Sequence, residues 1–188
     1  MSQFEYIAVL ISIIVGLALT QLLRGVGRMV TTKHGPRPYW VHLVWTLYFF
    51  MYTVLFWWWE FGLSTVDWSL WVYLVVITYA TLLFFVSLVV QPGSPDGISN
   101  YKEYYYSHRR WIFGLLIPIV LWDFVDSSLK GADHLLDLGA EYLTLNIILI
   151  TGSAVAIITP NERYHKVFAA VYIILFFIFI FRNISVIE

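Results

Sequence analysis

The sequence predicts an all-α fold: a polytopic membrane bundle of six transmembrane helices with both termini on the outer side of the membrane. Of the 188 residues, 60% are hydrophobic and only 12% are charged, whereas about a quarter of the residues are charged in an ordinary soluble domain. Six stretches without an interior Lys or Arg are long enough to cross the hydrocarbon core as helices. An apolar excess of this size must face lipid, which excludes a soluble globule and a disordered chain.

The six predicted spans follow one another with short connections. They comprise residues 4–23, 39–59, 68–90, 111–129, 142–158 and 166–181. Because no connection is large enough for a soluble unit, residues 1–188 form one transmembrane domain. The longest connection, 91–110, is predicted to be a cytoplasmic loop that ends in an interfacial helix, and 131–142 is predicted to be a short amphipathic helix at the outer face.

Lys and Arg residues collect on one side of the predicted spans. Nine of the 11 lie there, Lys33 among them, and only Lys130 and Arg182 lie on the other side. The positive-inside rule assigns the basic side to the cytoplasm. The first span begins with Glu5 and no basic residue, so we interpret it as a retained helix rather than a signal peptide.

The first span carries small side chains at intervals of four residues, namely Ala8, Ser12, Gly16 and Thr20. Small residues at this spacing let two helix backbones approach closely. The neighbour that this face meets is either another helix of the same chain or a helix of a second subunit. The ladder is therefore the candidate surface for helix packing or for formation of a homo-oligomer.

The fourth span is unusual because its uninterrupted apolar run, 111–122, has only 12 residues. Such a run is about 18 Å long and cannot cross a core of about 30 Å. The helix must therefore continue through Asp123 and Asp126, which places two carboxylates in the outer third of the bilayer. Pro118 is expected to bend this helix.

The distance of each polar residue from the membrane edge, counted at 1.5 Å per helix residue, predicts a buried polar cluster near the outer face. Asn146 in the fifth span and Arg182 in the sixth span come to about the same level as Asp123 and Asp126. Together with Glu60 at the outer end of the second span, these residues are the candidate pathway for an ion or solute. Arg182 can neutralise only one of the two aspartates, so a spare carboxylate remains for a proton or a cation. The alternative is a structural Asp–Arg pair that fixes how two helices dock.

The cytoplasmic side offers a basic and aromatic surface. The residues predicted to contact lipid headgroups or a cytoplasmic partner protein are Arg24, Arg28, Lys102, His108, Arg109 and Arg110. There is no glycine-rich phosphate loop or acidic metal pair, so we expect no nucleotide-binding role. No nucleic-acid partner is predicted.

Cofactors are not predicted. The chain has no cysteine, which excludes thiolate metal sites and iron–sulfur clusters, and no cluster of metal ligands is seen. His34, His42, His108 and His165 lie near the cytoplasmic ends of the spans, where an imidazole suits the interface. Ligation of a b-type haem by two of them remains an alternative.

The segments Phe4-Glu5-Tyr6 and 12–28 resemble the first helix of small multi-pass proteins of the bacterial inner membrane. This resemblance implies an inner-membrane location and supplies no catalytic residue. In size and helix number the chain is also similar to the substrate-capturing membrane subunits of energy-coupling vitamin importers, in which a small-residue face of the first helix docks the coupling subunit. The predicted outer position of the termini departs from that family.

Two classes of function fit these observations. The first is a channel or transporter, homo-oligomeric through the small-residue face, whose acidic outer mouth attracts a cation or a proton. The second is a non-transporting membrane subunit, or a solute-binding membrane component, that acts through a partner. An enzyme ranks third, because no nucleophile–base pair or phosphate motif lies at a plausible depth.

Overall fold

The computed structural model describes residues 3–31, 36–93, 98 and 100–182. Lys33 and His34 and part of the predicted 91–110 loop lie outside the described residues. The elements are α1 (Gln3–Thr31), α2 (Trp40–Trp59), a 3₁₀ helix (Glu60–Thr65), α3 (Leu70–Val90), α4 (Tyr101–Leu129), α5 (Ala132–Ile158) and α6 (Glu162–Arg182). Each of the six long helices is apolar enough to cross a membrane. The predicted all-α fold with six membrane-spanning helices is confirmed.

Several helices are longer than the apolar spans. Residues 101–110 form the first turns of α4 rather than a separate interfacial helix, and α4 continues on both sides of Pro118. The start of α4 is fixed by reciprocal capping, because Asn100 Oδ1 accepts the Glu103 N–H at 2.8 Å while Asn100 Nδ2 donates to Glu103 Oε1 at 2.8 Å. Similarly, α6 begins at Glu162, where Asn161 Oδ1 accepts the N–H of Arg163 at 2.9 Å. Caps of this kind extend a helix beyond the lipid core.

The beginning of α5 is a separate short helix. Gly131 has φ 113° and Gly139 has φ 68°, conformations that favour glycine. Residues 132–138 therefore form a helical segment that turns at Gly139 into the long part of α5. This agrees with the short outer helix predicted over 131–142, although the turn comes three residues earlier than its predicted end.

The six helices pack in a closed order, and α2 contacts four of the other five, namely α1, α3, α4 and α6. In this order, α1 packs on α3, α3 on α4, α4 on α5, α5 on α6, α6 on α2 and α2 on α1, while α2 also contacts α3 and α4. The span Trp40–Thr65 combines α2 with the 3₁₀ helix, and half of its 18 most apolar consecutive residues are buried, more than in any other span. A helix that is apolar on all sides suits this position.

An aromatic layer fills the middle of the bundle around α2. The Trp45 ring lies 5.1 Å from the ring of Phe113 and 5.2 Å from that of Phe168, and the Tyr48 ring lies 5.0 Å from that of Phe176. All five side chains are buried. Edge-to-face and tilted ring pairs at these distances pack densely, so this layer separates the two ends of the bundle.

The two ends differ in charge. The start of α1 and α5 and the end of α2, α4 and α6 lie at one end, which we call the acidic end and which carries Glu60, Asp123 and Asp126. The opposite, basic end carries Arg28 and Lys102. There Arg28 donates to the carbonyls of Gly93 at 2.5 Å and Pro92 at 2.9 Å, which ties the α3–α4 connection to α1.

Candidate functional site: a cavity at the acidic end

A cavity of about 530 Å³ lies at the acidic end between α1, α2, α4, α5 and α6. This volume is in the range that binds small molecules. Its polar lining includes Glu60, Asp123, Lys130, His134 and Asn146, and most of the other lining side chains are aromatic or aliphatic. Glu60, Asp123 and Asn146 belong to the predicted pathway residues, whereas the other two, Asp126 and Arg182, are not among the described lining residues.

Asp123 is held by tyrosine hydroxyls. Tyr79 on α3 donates to Asp123 Oδ1 at 2.8 Å, and Tyr142 on α5 donates to Asp123 Oδ2 at 2.6 Å. The hydroxyl of Tyr52 on α2 lies 2.5 Å from that of Tyr79. Because the single proton of Tyr79 points to the carboxylate, Tyr52 donates to Tyr79 and continues the chain. Three helices thus converge on Asp123 through hydrogen bonds, and among the described residues no Lys, Arg or His forms an ion pair with it.

Asp126 and Glu60 share one ammonium group. Lys130 Nζ lies 2.5 Å from Asp126 Oδ2 and 3.7 Å from Glu60 Oε1. The exposed fractions of the three side chains are only 6%, 2% and 3% for Lys130, Asp126 and Glu60. Burial opposes a charged ammonium, but the carboxylates of Asp126 and Glu60 outweigh it and raise the pKa of Lys130 above its ordinary value. The geometry is that of a buried ion pair in which one ammonium faces two carboxylates.

The acidic cluster, which we define as Glu60, Asp123, Asp126 and Lys130, contains three carboxyl groups and one ammonium group. Within the described part of the chain, neither oxygen of Glu60 has a hydrogen-bond partner, and Asp126 Oδ1 also lacks one. Buried carboxylate oxygens without donors are costly and normally meet a proton, a cation or a ligand. The cluster can accept further positive charge.

The structure corrects the prediction for Arg182. Its Nη1 lies 2.6 Å from Glu141 Oε1, and the two side chains are 66% and 46% exposed. Arg182 does not line the cavity with Asp123. Two residues at the same depth point in different directions when their positions around the helix axis differ, so depth alone cannot identify neighbours.

The cation of the cluster is Lys130, which the sequence interpretation assigned only to the outer side. Its spacing of four residues from Asp126 is the usual signal of an ion pair on one helix face. The tyrosines that hold Asp123 were also not predicted, because two of them come from α3 and α5 and their hydroxyls meet only in the folded bundle. Asn146 lies in the cavity wall, and among the described residues its Nδ2 has no hydrogen-bond partner.

The small-residue ladder of α1 does not form the main packing face within the chain. Ser12 and Thr20 are exposed, and a Cβ at Gly16 would meet nothing within 4 Å. The buried face consists instead of Ile11, Val15, Ala18, Leu22 and Gly25. Ala8 is half-buried and lines the cavity.

Several predicted cytoplasmic contact residues have partners within the chain. Lys102 Nζ lies 2.6 Å from Glu162 Oε2, and Arg109 donates to the carbonyl of Tyr106 at 2.7 Å. The His108 ring stacks on that of Tyr104. Arg24 and Arg110 are exposed, so they are the members of this set most available to lipid headgroups.

The buried histidines of the basic end form hydrogen bonds with protein groups. His42 Nε2 donates to the Val90 carbonyl at 2.7 Å. His165 Nε2 donates to the Thr159 carbonyl at 2.9 Å, so its Nδ1 accepts from the Tyr105 hydroxyl at 2.8 Å. Both ring nitrogens of His165 are thus occupied. Over the described part of the chain, no three His, Cys, Asp or Glu residues are grouped as a metal site requires.

Comparison of this chain with protein families, with curated proteins and with solved structures finds no match.

Proposed function

We propose that this protein is a membrane transporter that takes up a cation or a protonated solute at its acidic, outer end. The observation that carries the proposal is the acidic cluster beside the cavity, in which Lys130 is the one Lys or Arg among the described lining residues and faces two carboxylates. Ionisable groups within membrane spans typically mark ion or substrate pathways. The excess of carboxylates favours a positively charged occupant.

The aromatic layer supports a transporter rather than an open channel. Tyr48 is 1% exposed, and its ring lies 5.4 Å from the ring of Tyr172 and 5.0 Å from that of Phe176, two residues that also line the cavity. These rings form the floor of the cavity. A solute that enters from the acidic end can cross only after the floor has opened, as alternating access requires.

A solute-binding membrane subunit that acts through a partner is the second candidate. The observation that favours it is the outward position of Ser12, Gly16 and Thr20 on α1. Small residues at this spacing suit close helix contact, and the chain does not use them as its main packing face. The same surface would serve a second copy of this protein in a homo-oligomer.

Charge movement tests the proposed function. Proteoliposomes on a solid-supported membrane are exposed to rapid jumps in H⁺, Na⁺, K⁺ and 2-phenylethylammonium. We expect at least one jump to give a transient current that Glu60→Gln abolishes and Asp123→Asn weakens. Asp67→Asn is the matched control, because Asp67 is an exposed acid at the same end that does not line the cavity. If none of the four cations gives a current that depends on Glu60, the proposal is wrong.

A further inference from the structure

The cavity contains buried polar atoms that no group of the described chain satisfies. Glu60 lines the cavity and is 2% exposed, yet neither carboxylate oxygen has a hydrogen-bond partner. Lys130 Nζ lies 3.7 Å from Oε1, beyond hydrogen-bond distance, because it is bound closely to Asp126 at 2.5 Å. Glu60 therefore lacks N–H or O–H donors, and a ligand that supplies them would remove the cost of its burial.

The walls of the cavity distinguish between kinds of cation. Trp57, Trp58 and Trp59 line it from α2, and Tyr172 and Phe176 line it from α6. Ca²⁺ takes six to eight oxygen ligands, and among the described residues no three His, Cys, Asp or Glu side chains are grouped so that they could hold a metal ion. Aromatic faces suit the apolar body of an organic molecule and attract an organic cation through their π systems.

Lys130 shows what kind of charged group fits. Its side chain is an alkylammonium, and it is accommodated between Asp126 and Glu60 with 6% of its surface exposed. The pair with Asp126 is the closer one, which leaves Glu60 as the weaker partner and the more available acceptor. A second alkylammonium group could donate to Glu60 while Lys130 stays bound to Asp126.

We infer that the cavity binds an organic primary ammonium compound, whose N–H groups donate to Glu60 and whose apolar body lies against the rings of Trp59, Tyr172 and Phe176. This inference rests on the proposed function and names its substrate class. The volume of about 530 Å³ accommodates a molecule of the size of an arylalkylamine.

Calorimetric titration of the purified protein in detergent tests the ligand class. The probes are 2-phenylethylammonium and its neutral counterpart 2-phenylethanol, which has nearly the same shape. A hydrogen-bonded charge at a buried site corresponds to about 10- to 100-fold in affinity. We expect the ammonium to bind at least about tenfold more tightly than the alcohol, and this comparison on the unaltered protein does not depend on whether a variant folds.

Two variants then test whether the ligand binds at Glu60. Glu60→Gln is expected to weaken ammonium binding to the level of the alcohol, whereas Asp67→Asn should leave it unchanged; elution position and melting temperature show that both variants are folded. Equal affinity for ammonium and alcohol, or ammonium binding that is unchanged in Glu60→Gln, overturns the inference. A Glu60-dependent current for H⁺, Na⁺ or K⁺ without ammonium binding overturns the ligand class and leaves the proposed function standing. If there is neither a Glu60-dependent current nor ammonium binding, the ligand class and the proposed function are both wrong.

Discussion

Replacement of Lys130 by Met tests the acidic cluster most directly. The substitution removes the ammonium that faces Asp126 and Glu60 at 2.5 and 3.7 Å but keeps most of the side-chain volume. Because the side chains of Lys130 and Asp126 are only 6% and 2% exposed, the substitution leaves a buried carboxylate without its ammonium partner. Loss of one partner from a buried ion pair costs about 3–5 kcal/mol. At about 2–4 °C per kcal/mol for a chain of this size, the melting temperature should fall by roughly 6–20 °C.

The matched control is Lys166→Met. Lys166 also forms an i,i+4 ion pair, with Glu162 at 2.7 Å, but its side chain is 43% exposed and that of Glu162 is 38% exposed. An exposed pair of this kind contributes at most about 1 kcal/mol. Both variants are compared by thermal unfolding in the same detergent.

A double substitution separates the ion pair from simple packing. If the loss comes from an unpaired carboxylate, Asp126→Asn added to Lys130→Met should recover part of the stability, with a coupling of about 1 kcal/mol or more. The reasoning is refuted if Lys130→Met is no more damaging than Lys166→Met, or if the effects of the two substitutions at 130 and 126 simply add.

Two further predictions concern the tyrosine chain and helix packing. Tyr79→Phe removes a donor to Asp123 and should lower the free energy of unfolding by about 1–3 kcal/mol; an unchanged melting temperature would contradict this. Gly152→Ala should lower the melting temperature relative to Gly16→Ala, because a Cβ at Gly152 would lie 2.4 Å from Phe168 Cε2, whereas one at Gly16 would meet nothing within 4 Å. Equal melting temperatures of the two alanine variants would show that α5 and α6 adjust without cost.

The six helices could be predicted from the sequence, because lipid imposes a length and an apolar composition on each span. The helix ends could not be predicted in the same way. α4 begins at Tyr101 because Asn100 and Glu103 cap it, and local capping does not depend on lipid. The predicted start at 111 marks only where the apolar run begins.

The contacts between residues of different helices could not be predicted from the sequence. Arg182 is predicted at the depth of Asp123, but it pairs with Glu141 at the surface. The direction of a side chain turns by about 100° from one helix residue to the next, so equal depth does not imply contact. On α1 the direction around the helix axis also decides which residues are buried. The predicted small-residue ladder includes the exposed Ser12 and Thr20, whereas the apolar series Ile11, Val15 and Ala18 is the buried face. That series is the better predictor of intrachain packing, because burial of large apolar side chains is what contact with α3 requires.

Whether the floor of the cavity opens distinguishes a transporter from a solute-capturing subunit. Transport through this chain requires that Tyr48 part from Tyr172 and Phe176, rings that now lie 5.4 and 5.0 Å from it. Aromatic pairs contribute about 0.5–1.5 kcal/mol each beyond their buried area, so a ligand bound at Glu60 can offset the loss of a few of them only if it binds the open form more tightly. A transporter must therefore show ligand-dependent exposure of the floor, whereas a capturing subunit needs only movement at the mouth of the cavity. The segment between Gly131 and Gly139 lines the cavity through His134 and Leu138 and has positive φ at both ends, and none of its residues belongs to the aromatic layer.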